Sequence, residues 1–164
     1  MNTVCPGCGI QQPSSGQTSE NRYNCSFECW DLFGQLSAYT LSHRGGTFIH
    51  QHAVDAWQAQ HIGPASSNIG AAFSLIGLYL ALEKGYTGRQ VQIMHMQLGK
   101  FKRDWPRLEP SSVRATLTVM DVFEADAGEQ RDAMLMKWAA AVWASWNHAH
   151  GWTKQYCAQH LKIT

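Results

Sequence analysis

From residue 26 onward the chain is a succession of apolar stripes of helical period, separated by short polar breaks. Residues 1–24 differ: they are rich in Gly, Pro, Ser and Gln and hold almost nothing apolar beyond Val4, Ile10 and Tyr23. That leading stretch shows neither helical period nor strand pattern, so something other than a hydrophobic core has to hold it. Ser26 can cap a first helix, in which Phe27, Trp30, Phe33, Leu36 or Ser37, and Leu41 recur at three- and four-residue steps. It should run to about Ser42 and stop at Gly45 and Gly46.

A second helix is predicted from near Thr47 to just before Gly63-Pro64, with His50, Val54, Trp57 and His61 on one face. A third, from about Ser67 to Lys84 with Gly85 as its C-cap, is apolar almost all round and reads as the central buried helix. Gly70 and Gly77 would let a neighbour approach it closely. Thr87 and Gln90 form a capping box for a fourth helix to about Lys100. Trp105-Pro106 and Glu109-Pro110 then mark an extended connection, because the residue before a proline is pushed out of the helical region. Thr118 and Asp121 cap a short turn over 119–124, a long helix follows over about 128–147, and a last short one over 152–161. The fold class expected is mainly α: a helical bundle over 26–164 with an N-terminal zinc-knuckle head over 1–25, together one domain.

Composition narrows the function classes. The 164 residues are 45% hydrophobic and include seven tryptophans, enough for a single core. Thirteen basic and twelve acidic residues leave a net charge of +1, no field that would draw nucleic acid or anionic lipid. No secretory signal is visible at the start, and the longest apolar stretch, 69–82, is interrupted and shorter than the roughly 18 residues of a membrane span. Of five cysteines, four lie in the first thirty positions, which suits a metal cluster in a reducing compartment, the cytoplasm, better than a disulfide framework.

Cys5-Pro6-Gly7-Cys8-Gly9 is the most specific feature. Two thiolates three positions apart reach one tetrahedral ion if the backbone between them turns tightly. Cys25 and Cys29, one turn apart at the start of the first helix, offer a second pair. A redox C-x-x-C is the competing reading, but it opens a helix after a strand, and no strand pattern precedes this pair. His50 could complete the shell in place of Cys25; His50 and His61 are about 16 Å apart along a helix and cannot share an ion. Cys157 reads as packing, His61 as a member of a packed stripe, His43 and His52 as exposed, and His148 and His150 as a solvated helix end. Asp55 and Glu28 are lone carboxylates, and no Ser-His-Asp order, phosphate loop or zincin motif occurs.

CPGCG at 5–9, ECWDLFGQL at 28–36, HQHAVDAWQAQH at 50–61, LIGLYLALEKG at 75–85, LTVMDV at 117–122 and WAAAVWASW at 138–146 together resemble a bacterial family catalogued as domain of unknown function 5946. The resemblance implies Cys5, Cys8, Cys29, His50, Asp55 and His61 as recurrent polar residues, and hence a Cys-rich metal site with a histidine nearby. It implies no activity. Two positions depart from the family pattern: Cys25 replaces a small residue, and Ser74 stands where a histidine is common.

The expected function is that of a zinc-binding, non-catalytic protein that binds a protein partner, with metal ligands drawn from Cys5, Cys8, Cys25, Cys29 and His50. The alternative is a metal-dependent hydrolase or tailoring enzyme built around His50, Asp55 and His61. A third reading makes Cys25 the spare thiol of a redox or metal-sensing switch.

Overall fold

Capping side chains decide where most of the helices begin. The computed structural model describes residues 1–19, 23–43, 45 and 47–164. Ser26 accepts a hydrogen bond from the backbone N–H of Cys29 and opens α1, Phe27–Ser42. Ser67 does the same for Gly70 at the head of α3, Asn68–Lys84, which Gly85 closes in the left-handed region at φ 69°. Reciprocal capping boxes start α4, Gly88–Gly99, at Thr87 and Gln90, and α5, Val119–Glu124, at Thr118 and Asp121.

Without a side-chain cap, α2, His50–Gln60, starts three residues later than the sequence pattern suggests. α6, Glu129–Ser145, also lacks one and passes through a 3-10 turn, Asn147–Ala149, into α7, His150–Leu161. The connector between α4 and α5 contains neither helix nor strand, in keeping with its prolines. Gly46, one of the two expected helix stops, lies outside the described residues. Seven α-helices and little strand among the described residues give the mainly α class expected. Among the described residues no helix is long and apolar enough to cross a membrane.

The head is not strandless. β1, Asn2–Val4, pairs antiparallel with β2, Gln11–Pro13, with Asn2 opposite Pro13. Each strand is three residues long and exposed at both ends, too short for an alternation to register in the sequence.

α2 packs against α1, α3, α4 and α6, while α3 packs against α2, α4, α6 and α7. The core face of α1 is Cys29, Leu32, Phe33, Leu36 and Thr40. Trp30 and Leu41, expected inside, are 42% and 58% exposed, so the true stripe is rotated toward Cys29. As anticipated, two glycines admit α2 closely to α3. A side chain on Gly77 would collide with the carboxylate of Asp55, and one on Gly70 with the amide of Gln58 at 2.5 Å.

Asp55 is 2% exposed, accepts from Gln51 Nε2 at 3.1 Å, and leaves Oδ2 without a hydrogen-bond partner. Burial pushes its carboxyl well above the usual range, and the Gln51 bond opposes this only in part. A carboxyl harder to ionise in the folded chain than in the unfolded one loses stability as pH rises past its unfolded value of about 3.9. Asp55→Asn removes that loss. The melting temperature of the variant minus that of the wild type should therefore climb from about pH 4 to about pH 7; a difference that stays flat across thermal scans in that window would show that Asp55 is not held neutral.

Candidate metal centre

α1 and α2 run antiparallel. Thr40 Oγ1, near the end of α1, meets His50 Nδ1, at the start of α2, at 2.8 Å. The opposite ends of the pair must then meet as well, and they do so at Cys29 and His61, where Sγ and Nε2 are 3.3 Å apart. Cys29 is held in the first turn of α1 by its N–H bond to Ser26 Oγ. His61 directly follows α2, with its backbone N–H bonded to Gln58 O at 3.1 Å.

The turn at residues 5–9 brings two more sulfurs to this junction. Gly9 N–H donates to Cys5 O and Cys5 N–H to Ile10 O, both at 2.9 Å, closing the tight loop that the spacing demands. Gly7, between the two cysteines, lies against the imidazole: a Cβ there would stand 2.6 Å from His61 Cδ2. Cys8 Sγ is 3.8 Å from Cys29 Sγ. The ligand atoms of Cys5, Cys8, Cys29 and His61, all four residues buried, lie within 4.8 Å of one another. Bonds of about 2.3 Å to sulfur and about 2.0 Å to nitrogen in a tetrahedron set ligand–ligand edges of about 3.3–3.8 Å, so this cluster can hold a metal ion.

The surroundings prepare His61 as a ligand. Its Nδ1–H donates to Trp57 O at 2.6 Å, which leaves the Nε2 lone pair facing the sulfurs. The ring stacks on Trp57, whose other face stacks on Phe33. The three buried sulfurs shift one another's titration in opposite directions. Hydrogen bonds from Cys29 and Cys8 hold the Cys5 thiol far below the ordinary range, while the same contacts and burial hold Cys29 far above it. At Cys8 the bond to Cys29 pulls downward, but Cys5 and burial outweigh it and push the thiol up to about 12. A divalent ion held there would favour all three thiolates together.

Two of the five sequence-derived ligands stand apart from this group. Cys25 precedes the cap Ser26, in non-helical backbone, so the one-turn register with Cys29 assumed for it does not exist. It is 5% exposed, and burial followed by the charge of Cys5 pushes its thiol up to about 12. His50 is committed to Thr40 at the far end of the helix pair. The group that could hold an ion includes His61 instead, and its place on the Trp57 stripe is compatible with this because packing leaves Nε2 facing the sulfurs. The sequence carried one signal for it: in an antiparallel pair, the residue closing the second helix falls beside the start of the first.

The remaining candidates are dispersed. Asp55 faces Gly77 of α3, so it does not converge with His50 and His61. Glu28 is not alone, since its Oε1 accepts from Ser15 N at 2.7 Å and from Ser15 Oγ at 2.8 Å. His52, expected on the surface, is buried, and His43 is half-buried between Tyr39 O and Asp132. His148 bonds Glu109 O, and His150 stacks on Trp143 and bonds its carbonyl, which is more structure than a solvated end would have. Cys157 is fully buried in α7.

A family model described as Family of unknown function (DUF5946) matches residues 3–147. No curated protein and no solved structure matches the chain.

The geometry separates the two histidines experimentally. His61→Ala should lose bound metal and melt lower, whereas His50→Ala should keep the metal of the wild type and lose only its Thr40 bond, about 0.5–1.5 kcal/mol. Elemental analysis of the two purified variants decides, and equal metal content in both would refute the assignment of His61.

Proposed function

The chain belongs to the Family of unknown function (DUF5946), and for this member we propose a zinc-headed helical protein whose metal is structural and whose work is to bind another protein. The observation that carries this reading is the Cys5, Cys8, Cys29 and His61 set: four buried donors lie within 4.8 Å of one another, enough to fill all four positions of a tetrahedral ion. Three thiolates and an imidazole suit zinc, and a site with all positions taken by protein is a structural one.

The ion would fasten what little else can. Val4 is 51% exposed, and Ile10 and Tyr23 are the half-buried apolar side chains by which the described part of the head packs on the core, a small surface to bury. With zinc bound, residues 5–9 would be tied to the start of α1 and the end of α2 at once. Five free cysteines fit a reducing cytoplasm. The partner surface is supported by exposed Ile93 and Met96 on α4, with Ile69 and Phe101 beside Lys100, Lys102 and Arg103 in a shallow cavity.

X-ray absorption at the zinc edge should find three sulfurs at about 2.3 Å and one nitrogen at about 2.0 Å. Cys25→Ser should leave that spectrum unchanged. Cys8→Ser should lose the ion and loosen the head, at some fraction of the roughly 10–16 kcal/mol that zinc contributes to finger peptides, because the helices keep their own core. A fourth sulfur, or an oxygen from water, would overturn the closed Cys3His assignment.

A further inference from the structure

Arg114 lies in the connector between α4 and α5, 108 residues beyond the head loop it touches. Its Nη2 donates to Pro6 O at 3.1 Å, on the backbone between the two head cysteines. Its Nη1 lies against Gly9: a Cβ built there would stand 2.8 Å from Nη1, 3.5 Å from Cζ and 3.6 Å from Cδ. Gly9 has φ 85°, so the absence of a side chain both permits the turn and opens the surface on which the guanidinium rests. The contact walls a cleft of about 140 Å³ between Pro6, Gly7 and residues 110–115.

Among the described residues Arg114 forms no ion pair with a carboxylate. Its guanidinium is directed instead at the backbone of the head loop, at Pro6 O. Three thiolates and a neutral imidazole around a divalent ion leave one net negative charge, and a nearby cation opposes it.

Resting on the zinc reading above, we infer that Arg114 is a positioning residue of the metal centre, which clamps the Cys5–Gly9 loop through the Pro6 carbonyl and offsets the charge of the loaded site. It holds no bond to the metal. It slows the opening of the loop through which the ion must leave. This makes the connector part of the metal site, although it lies far from it in sequence.

The test is the rate of zinc release from the full-length protein to excess EDTA, for wild type, Arg114→Lys and Arg114→Met. Loss of a side chain that supports metal ligands changes metal binding by about 10–100-fold, so the Met variant should release zinc faster by that order. Arg114→Lys restores the charge without the two-pronged contact and should fall between. Because the side chain is at the surface, the gap between Lys and Met should narrow as salt is raised from about 0.01 M to about 1 M, where the screening length falls from about 30 Å to about 3 Å. A Met variant that releases zinc at the wild-type rate would overturn the role of Arg114 while leaving the metal site intact. A wild-type protein that carries no zinc before chelation would overturn both.

Discussion

The contact between Cys29 and His61 is the one on which the N-terminal third of the molecule depends. It joins the first turn of α1 to the residue that ends α2, so it closes an antiparallel helix pair at the end opposite the Thr40–His50 bond. Two parts of the head are placed against that closure. The Cys5–Gly9 loop meets it through two sulfurs and through Gly7, which lies on the His61 ring. Asn24 N–H donates to His61 O at 3.1 Å, so the approach to α1 is sewn to the same residue. Each such hydrogen bond contributes about 0.5–1.5 kcal/mol, and an ion held by the four clustered side chains would be a larger constraint.

His61 can serve as an anchor because the end of α2 is itself fixed. Gln60 bridges Leu117 O and Trp138 Nε1, and Ala59 O accepts from Trp146 Nε1. These bonds tie the last turn of α2 to α6 and to the residue before the α5 cap. Further back, Asp55 and Gln58 seat against Gly77 and Gly70 of α3. The Cys3His cluster is thus built at the end of a helix already immobilised by the core, and a ligand placed by packing would lose little freedom on binding an ion.

The helices were legible because their signals are local. Ser26, Ser67, Thr87 and Thr118 each cap within three residues of themselves, and Gly85 ends α3 where a left-handed residue is needed. The Cys5–Cys8 pair was legible from its spacing, whereas Cys29 was singled out by a one-turn spacing from Cys25 that the fold does not contain. What escaped is information that only tertiary structure holds. Cys25 looked like the partner of Cys29 on the assumption that both lie on one helix, but the cap falls between them. The rotation of the α1 stripe toward Cys29 follows from where the head docks, which no periodicity records. His52 lies buried on α2 because that helix is surrounded by four others, a property of topology and not of the residue's neighbours in sequence.

That same enclosure of α2 explains why its polar residues do not form one active centre. Successive residues on a helix turn by about 100°, so His50 and Asp55 point about 140° apart, and His50 and His61 share a direction but stand about 16 Å apart along the axis. Each therefore meets a different neighbour: His50 the end of α1, Asp55 the glycine face of α3, His61 the cysteines of the head. A helix in the middle of a bundle has no single open face on which three polar groups can converge, and each of them has to be accommodated by the element it happens to face. Of the three, His61 alone stands beyond the last helical residue, where the head loop can reach it, and this is why the one polar cluster of α2 forms at its end and not along its side.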